Sequence, residues 1–174
     1  MRKYFITLSL LVSTFGFTQV TDKVLIDSYL NSELNLEQNQ IQYRITSSTF
    51  NDLGINHYYG IQNYLGFPIL GTEFNIVVLN DEVLSTNHNF VKKASKFNSI
   101  NGYKTPVSEI LQILVSDYPI KKSKIIEKSD GSYTYFDEVL SDEPIRIYKK
   151  WYFINNELLP VYEVSLYEKD HSHW

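Results

Sequence analysis

Two rhythms of apolar residues alternate along this chain. Between Thr21 and Leu34, Ile26, Leu30 and Leu34 recur every four residues, with Leu25 and Tyr29 beside them. That spacing predicts a helix, with Thr21 or Asp22 able to cap it and the polar run Asn35 to Gln40 ending it. From Ile41 the rhythm changes to two. Ile41, Tyr43 and Ile45 alternate with Gln42, Arg44 and Thr46, as in a strand with one buried face. Asn51-Asp52-Leu53-Gly54 is turn chemistry, and Asn56 to Leu65 reads as the next strand. Gly66 and Pro68 are expected to break or bend the chain. Phe74, Ile76 and Val78 then share a face. Asn80-Asp81-Glu82 makes a tight connection, and Val83 to Val91 returns with Leu84 and Phe90 on one side. The pieces predict a helix on an antiparallel meander of about four strands.

The same order then repeats. Lys92 to Lys104 is polar and reads as a linker. Thr105-Pro106 is expected to open a second helix, with Thr105 as cap and Pro106 at the first helical position, where a proline loses no needed hydrogen bond. Val107, Ile110, Leu111 and Leu114 follow at helical spacing, with Tyr118 one turn on and Pro119 ending the run. Strands are predicted at Lys124 to Lys128, beyond a turn at Asp130-Gly131, and where Ile145, Ile147, Trp151 and Phe153 alternate with Arg146, Tyr148 and Lys150. Asn155-Asn156 forms a turn before Tyr162, Val164 and Leu166. The expectation is an α+β protein of two small units, each a helix packed on an antiparallel sheet in a cystatin-like layout. The units span 19–92 and 105–174, joined by a linker at 93–104, and the second is expected to be incomplete at its C-terminus.

Composition changes this picture at the N-terminus. Arg2 and Lys3 precede an almost wholly apolar or small run from Phe5 to Phe17, and Gly16 and Thr18 stand before Gln19. This is the layout of a secretory signal peptide over residues 1–18. It is shorter than the ~20 residues of a comfortable membrane span. The expected destination is extracellular, with no membrane attachment once the signal is removed. Removal would take the formal net charge from −4 to −6, since residues 1–18 carry two basic residues and no acidic one. No lysine-rich face stands out, which argues against a nucleic-acid partner. The chain has no cysteine, so disulfides and thiolate metal sites are excluded.

The stretch from Leu53 to Val91 carries a recognisable set of residues: Gly54, His57, Tyr58, Tyr59, Gln62, Tyr64, Gly66, Ile69, the strand Phe74 to Leu79, the turn Asn80-Asp81, and Phe90. This set resembles the propeptide motif of fungalysin- and thermolysin-type zinc metallopeptidase precursors. The segment from Pro106 to the terminal VYEVSLYEKDHSHW is similar to the second propeptide segment of fungalysin-type enzymes. Two positions depart from the pattern. Glu82 stands where a turn glycine is usual, and Gly71 where a strand asparagine is common. Physically, Gly54 and Gly66 are expected to take backbone angles that side chains disfavour, and Gln62 to satisfy a buried backbone group.

Catalytic chemistry is not legible. No His-Glu-x-x-His run occurs. His57 and His88 fall in predicted strands, where packing is the simpler role. His171-Ser172-His173 is a close pair without a third ligand, whereas zinc sites use at least three protein ligands. Neither a phosphate-binding glycine loop nor a nucleophile elbow is present. The expectation is therefore a non-enzymatic chain without metal or cofactor. The resemblance implies a propeptide that aids folding of its cognate metallopeptidase catalytic domain and inhibits it in cis. Zinc would belong to that domain, and the chain reads as stopping ahead of it. A free-standing extracellular binding module or protease inhibitor of the same fold is the alternative. Tyr58, Tyr64, Trp151 and Phe153 are the candidate contact residues.

Overall fold

Helix α1 (residues 22–33) occupies the first stretch of four-residue periodicity. It belongs to a computed structural model that describes residues 22–33, 40–92, 96–97, 102–116 and 118–167. The expected signal peptide, most of the expected linker and the His171/His173 pair lie outside those residues. The architecture is mixed α and β, and strands dominate. The described residues divide into two compact units, one of residues 22–33, 40–65 and 71–92, the other of 66–70, 96–97, 102–116 and 118–167. Residues 66–70 thus lie inside the 19–92 span expected for the first unit but group with the second.

In the first unit the strands are β1 (Ile41–Phe50), β2 (Ile55–Tyr64), β3 (Phe67–Leu79, of which residues 67–70 group with the second unit) and β4 (Glu82–His88), in that spatial order. β1 runs antiparallel to β2, and β3 antiparallel to β4. The core forms where the stripe of α1 meets one face of the sheet: Ile26 and Leu30 pack with Tyr58, Phe74, Ile76 and Val78. Gly60 lets the sheet take up a ring. A Cβ there would stand 2.2 Å from Phe74 Cζ and 2.7 Å from the Arg44 carbonyl oxygen, so the Phe74 ring lies on bare backbone.

Two-residue turns with positive φ close the hairpins. Asn80 (φ 52°) and Asp81 (φ 61°) join β3 to β4. Because those two residues carry the left-handed angles, Glu82 begins a strand and needs no glycine. Leu65 (φ 49°) and Gly66 (φ 84°) join β2 to β3. The chain reverses there and then runs extended through Pro68, which corrects the expected break at that proline. The primed turn matches the twist of the flanking strands, but a leucine in the left-handed region costs ~1 kcal/mol. Leu65 is exposed, so little packing holds it. Leu65→Asn is expected to raise stability by ~0.5–1 kcal/mol in urea unfolding. A fall instead would show that the leucine side chain contributes more than its backbone strain costs.

The second unit contains β5 (Lys96–Phe97), α2 (Val107–Leu114), β6 (Ile125–Glu127), β7 (Tyr133–Tyr135), β8 (Ile145–Ile154) and β9 (Glu157–Ser165). β8 is central. β9 lies antiparallel along one edge, while β7 and the start of β3, at Ile69 against Trp151, take the other. β5 pairs parallel with β9, so part of the expected linker is strand. Asn155 (φ 50°) and Asn156 (φ 63°) close the β8–β9 hairpin. Val107 and Leu111 of α2 pack on Tyr135, Ile145 and Ile147.

Helix α2 differs from expectation at both ends. Pro106 is the N-cap itself (φ −61°, ψ 143°), and Thr105 supplies no capping bond. The Pro106 carbonyl instead accepts from the Glu109 and Ile110 amides. The helix stops after Leu114, a turn before Pro119. Gln112 Nε2 donates to the carbonyls of Ser116 (3.2 Å) and Tyr118 (3.1 Å), satisfying backbone that no further helical turn reaches. Tyr118 leaves the helical stripe, and its hydroxyl donates to Asp137.

Candidate functional site

The residues singled out in the Leu53–Val91 stretch cluster on β2 and its neighbours. Asn51 Oδ1 accepts from the Leu53 and Ile55 amides, shaping the turn in which Gly54 sits at φ 76°. Along β2 the pleat puts Asn56, Tyr58, Gly60, Gln62 and Tyr64 on one side. The Tyr58 hydroxyl donates to Asp22 at 2.5 Å, and Asn56 Nδ2 donates to the same carboxylate at 2.7 Å. Burial pushes the Tyr58 phenol well above its ordinary pKa, and the adjacent Asp22 carboxylate adds to the rise. Tyr58 thus stays a neutral donor that pins the start of α1 to the sheet. On the opposite side His57 and Tyr59 stack, with ring centres 6.4 Å apart.

Gln62 makes the most specific contact of the set. Its Nε2 donates to the Val91 carbonyl at 3.2 Å, and its Oε1 accepts the Val91 amide at 2.7 Å. One side chain therefore completes both hydrogen bonds of a buried peptide position beyond β4. Asn89 Nδ2 donates to the Gly71 carbonyl at 3.0 Å. Phe90 packs edge-on to Phe74 (5.2 Å) and stacks on His88 (4.2 Å). Tyr64 donates to Gln40 Oε1 at 3.2 Å.

Burial corrects the expected contact surface. Trp151 is 0% exposed, Tyr64 4% and Tyr58 8%. They are core residues, because the inward row of each strand takes the largest rings. Phe153 is half-buried, and the exposed residues beside it are Tyr152 and Ile154. In the first unit the accessible surface lies elsewhere. A cleft of about 480 Å³ opens between α1 and β1, with Ile26, Tyr43, Ile45, Phe50 and Tyr58 as walls and Lys23 and Asp27 among its polar groups. Tyr43 donates to Asp27 across it. Among the described residues β1 is an edge strand, and residues 44–50 are all exposed. Neither Tyr43 nor Phe50 was among the contact residues expected from the sequence. The available signal was the decay of alternation into Ser47-Ser48-Thr49, on an edge that carries no lysine or proline to discourage pairing.

In the second unit Asp137 gathers polar groups from three segments. It is buried, and its carboxylate accepts from Lys124 Nζ (2.9 Å), the Tyr118 hydroxyl (3.1 Å) and the Val139 amide (3.2 Å). The Lys124 ammonium above all holds its pKa at about 2, with the Val139 and Tyr118 bonds helping and burial opposing. The folded value lies below the ordinary ~3.9 of an unfolded aspartate. Its stabilising contribution is therefore complete above pH ~4 and is lost as pH falls towards 2. Asp137→Asn is expected to flatten the acid dependence of unfolding in that window, monitored by circular dichroism. An unchanged acid limb would mean that other carboxylates govern it.

Among the described residues no group of three or more His, Cys, Asp or Glu side chains could hold a metal ion. No helix among them is long and apolar enough to cross a membrane. No protein-family model matches the chain, and no curated protein matches it either.

Proposed function

We propose that this chain is the pro-region of a secreted fungalysin/thermolysin-type zinc metallopeptidase. It acts in cis on its cognate catalytic domain, as folding aid and as inhibitor. The observation that carries the reading is the coherence of the motif residues. Gly54 shapes the entry to β2, Gln62 clamps Val91 with two hydrogen bonds, and Phe90 closes on Phe74. Residues far apart in the motif thus serve one packed unit. The finer layout belongs to the proposal as well: each unit is a helix laid on an antiparallel sheet, in the cystatin manner. In this reading the chain itself is not an enzyme and holds no cofactor. It is exported by residues 1–18 and touches neither nucleic acid nor membrane afterwards.

Edge strand β1 supplies the mode of contact. Its outer backbone groups can accept a strand of the enzyme, and the neighbouring cleft can take an apolar side chain. Tethering puts the two partners at roughly millimolar effective concentration, so modest affinity is sufficient in the precursor and inhibition is weaker in trans. The test adds residues 19–174 to the matching mature catalytic domain and follows peptide cleavage and recovery from denaturant. Slowed cleavage and faster refolding are expected. If neither changes at high micromolar concentration, the pro-region reading fails, and a free-standing binding module takes its place.

A further inference from the structure

We propose that the second unit carries a binding pocket for a phosphate-bearing small molecule, centred on Lys149. The proposal is independent of the pro-region reading. It starts from the pleat of β8. Ile145, Ile147 and Trp151 are inward-facing and at most 1% exposed, and Lys149 stands in the same row. A charge in an apolar row loses hydration and needs compensation. Here the ammonium lies over three rings, 5.2 Å from the centre of Tyr133, 5.8 Å from Phe67 and 5.9 Å from Tyr103. Those rings supply cation–π attraction but no negative charge. Among the described residues no carboxylate pairs with Lys149.

Lys149 lines a cleft of about 430 Å³ together with Lys104 and Lys122. Glu127 is the single acidic residue of its lining, and its carboxylate already accepts the Tyr133 hydroxyl at 2.8 Å. Three lysines against one glutamate leave the cleft at +2, in a chain whose net charge is −4. Val107 and Ser108 of the first turn of α2 lie on the same cleft, and that helix has no side-chain cap. Amides of a first turn have no partner within the helix and favour an oxyanion. The hydroxyls of Tyr103 and Tyr162 are committed to the Lys150 and Thr105 carbonyls, which leaves their rings as walls. Burial raises the pKa of both phenols, so neither adds a competing negative charge at neutral pH. The cleft is thus a cationic, aromatic-walled site whose charge a phosphate monoester dianion would balance. A single carboxylate would leave it half neutralised.

The experiment titrates the isotope-labelled chain with inorganic phosphate, and separately with acetate and sodium chloride, at constant ionic strength. Saturable amide shifts at Thr105, Val107 and Ser108 are expected with phosphate, with affinity roughly tenfold above acetate, whose single negative charge leaves the cleft half neutralised. Lys149→Met keeps the stem over the rings and is expected to weaken phosphate roughly tenfold, with Trp151 fluorescence unchanged. Lys104→Gln with Lys122→Gln alters exposed side chains and decides the matter should Lys149→Met fail to fold; the pair is expected to weaken phosphate severalfold. Shifts that grow linearly, that sodium chloride or acetate reproduces, or that survive the substitutions would overturn the proposal.

Discussion

Trp151→Ala destabilises the second unit by an expected ~3–5 kcal/mol, the range for deleting a fully buried aromatic side chain. Trp151 is 0% exposed. Its ring meets Tyr103 edge-to-face at 5.4 Å, and Tyr103 in turn donates to the Lys150 carbonyl at 2.5 Å. Its backbone pairs with Pro160 on one side and Ile69 on the other. Truncation would therefore open a cavity where β8 meets both neighbours, and the surrounding backbone is too well paired to collapse into it. Domains are typically stable by only ~5–15 kcal/mol, so the variant should be near its folding limit at 25 °C. Urea unfolding followed by circular dichroism measures the effect, and Trp151→Phe should lose much less. A loss below ~1 kcal/mol would mean that neighbouring side chains refill the space.

Gln62→Ala is expected to cost about 2–4 kcal/mol in the first unit. Gln62 is fully buried, and Val91 is 7% exposed. Removing the amide leaves both the N–H and the C=O of Val91 without their partner, and water reaches neither easily. Each orphaned buried group costs ~1–3 kcal/mol. Gln62→Leu fills the volume yet leaves the same two groups unpaired, so it should not rescue. Gln62→Glu separates the two bonds. An ionised carboxylate can accept the Val91 amide but cannot donate to its carbonyl, whereas the protonated acid can do both. Its stability should therefore improve as pH falls through the carboxyl pKa, opposite to the trend expected from Asp137. Hydrogen exchange of the Val91 amide gives the local readout. Unaltered protection of that amide in Gln62→Ala would show that Gln62 does not hold it.

Much of the fold was legible because its signals are local. The four-residue stripe Ile26–Leu30 and the alternation through Ile145 and Ile147 follow from helix and strand geometry alone. Asn80-Asp81 and Asn155-Asn156 announce their turns because short polar side chains tolerate the left-handed region. Leu65 was not legible as a turn residue. Leucine has no such tolerance, and only the pairing of β2 with β3 holds it there. Nor was the end of α2, where Gln112 reaches past Leu114 to carbonyls that the sequence order leaves anonymous.

The candidate surfaces divide in the same way. Periodicity says which residues share a face, but not which face is covered. Local sequence was enough for most of the elements and turns, and for the absence of cysteine and of a His-Glu-x-x-His run. Only the fold shows that Trp151, Tyr58 and Tyr64 are core, that Gln62 holds Val91, and that β1 is an edge strand among the described residues. It also decided that Lys149 sits in an apolar row against three rings. Each of these depends on contacts between residues distant in the chain, such as Ile69 with Trp151 or Tyr58 with Asp22. Burial and hydrogen-bond partnership are properties of those encounters, and no local pattern of side chains encodes them.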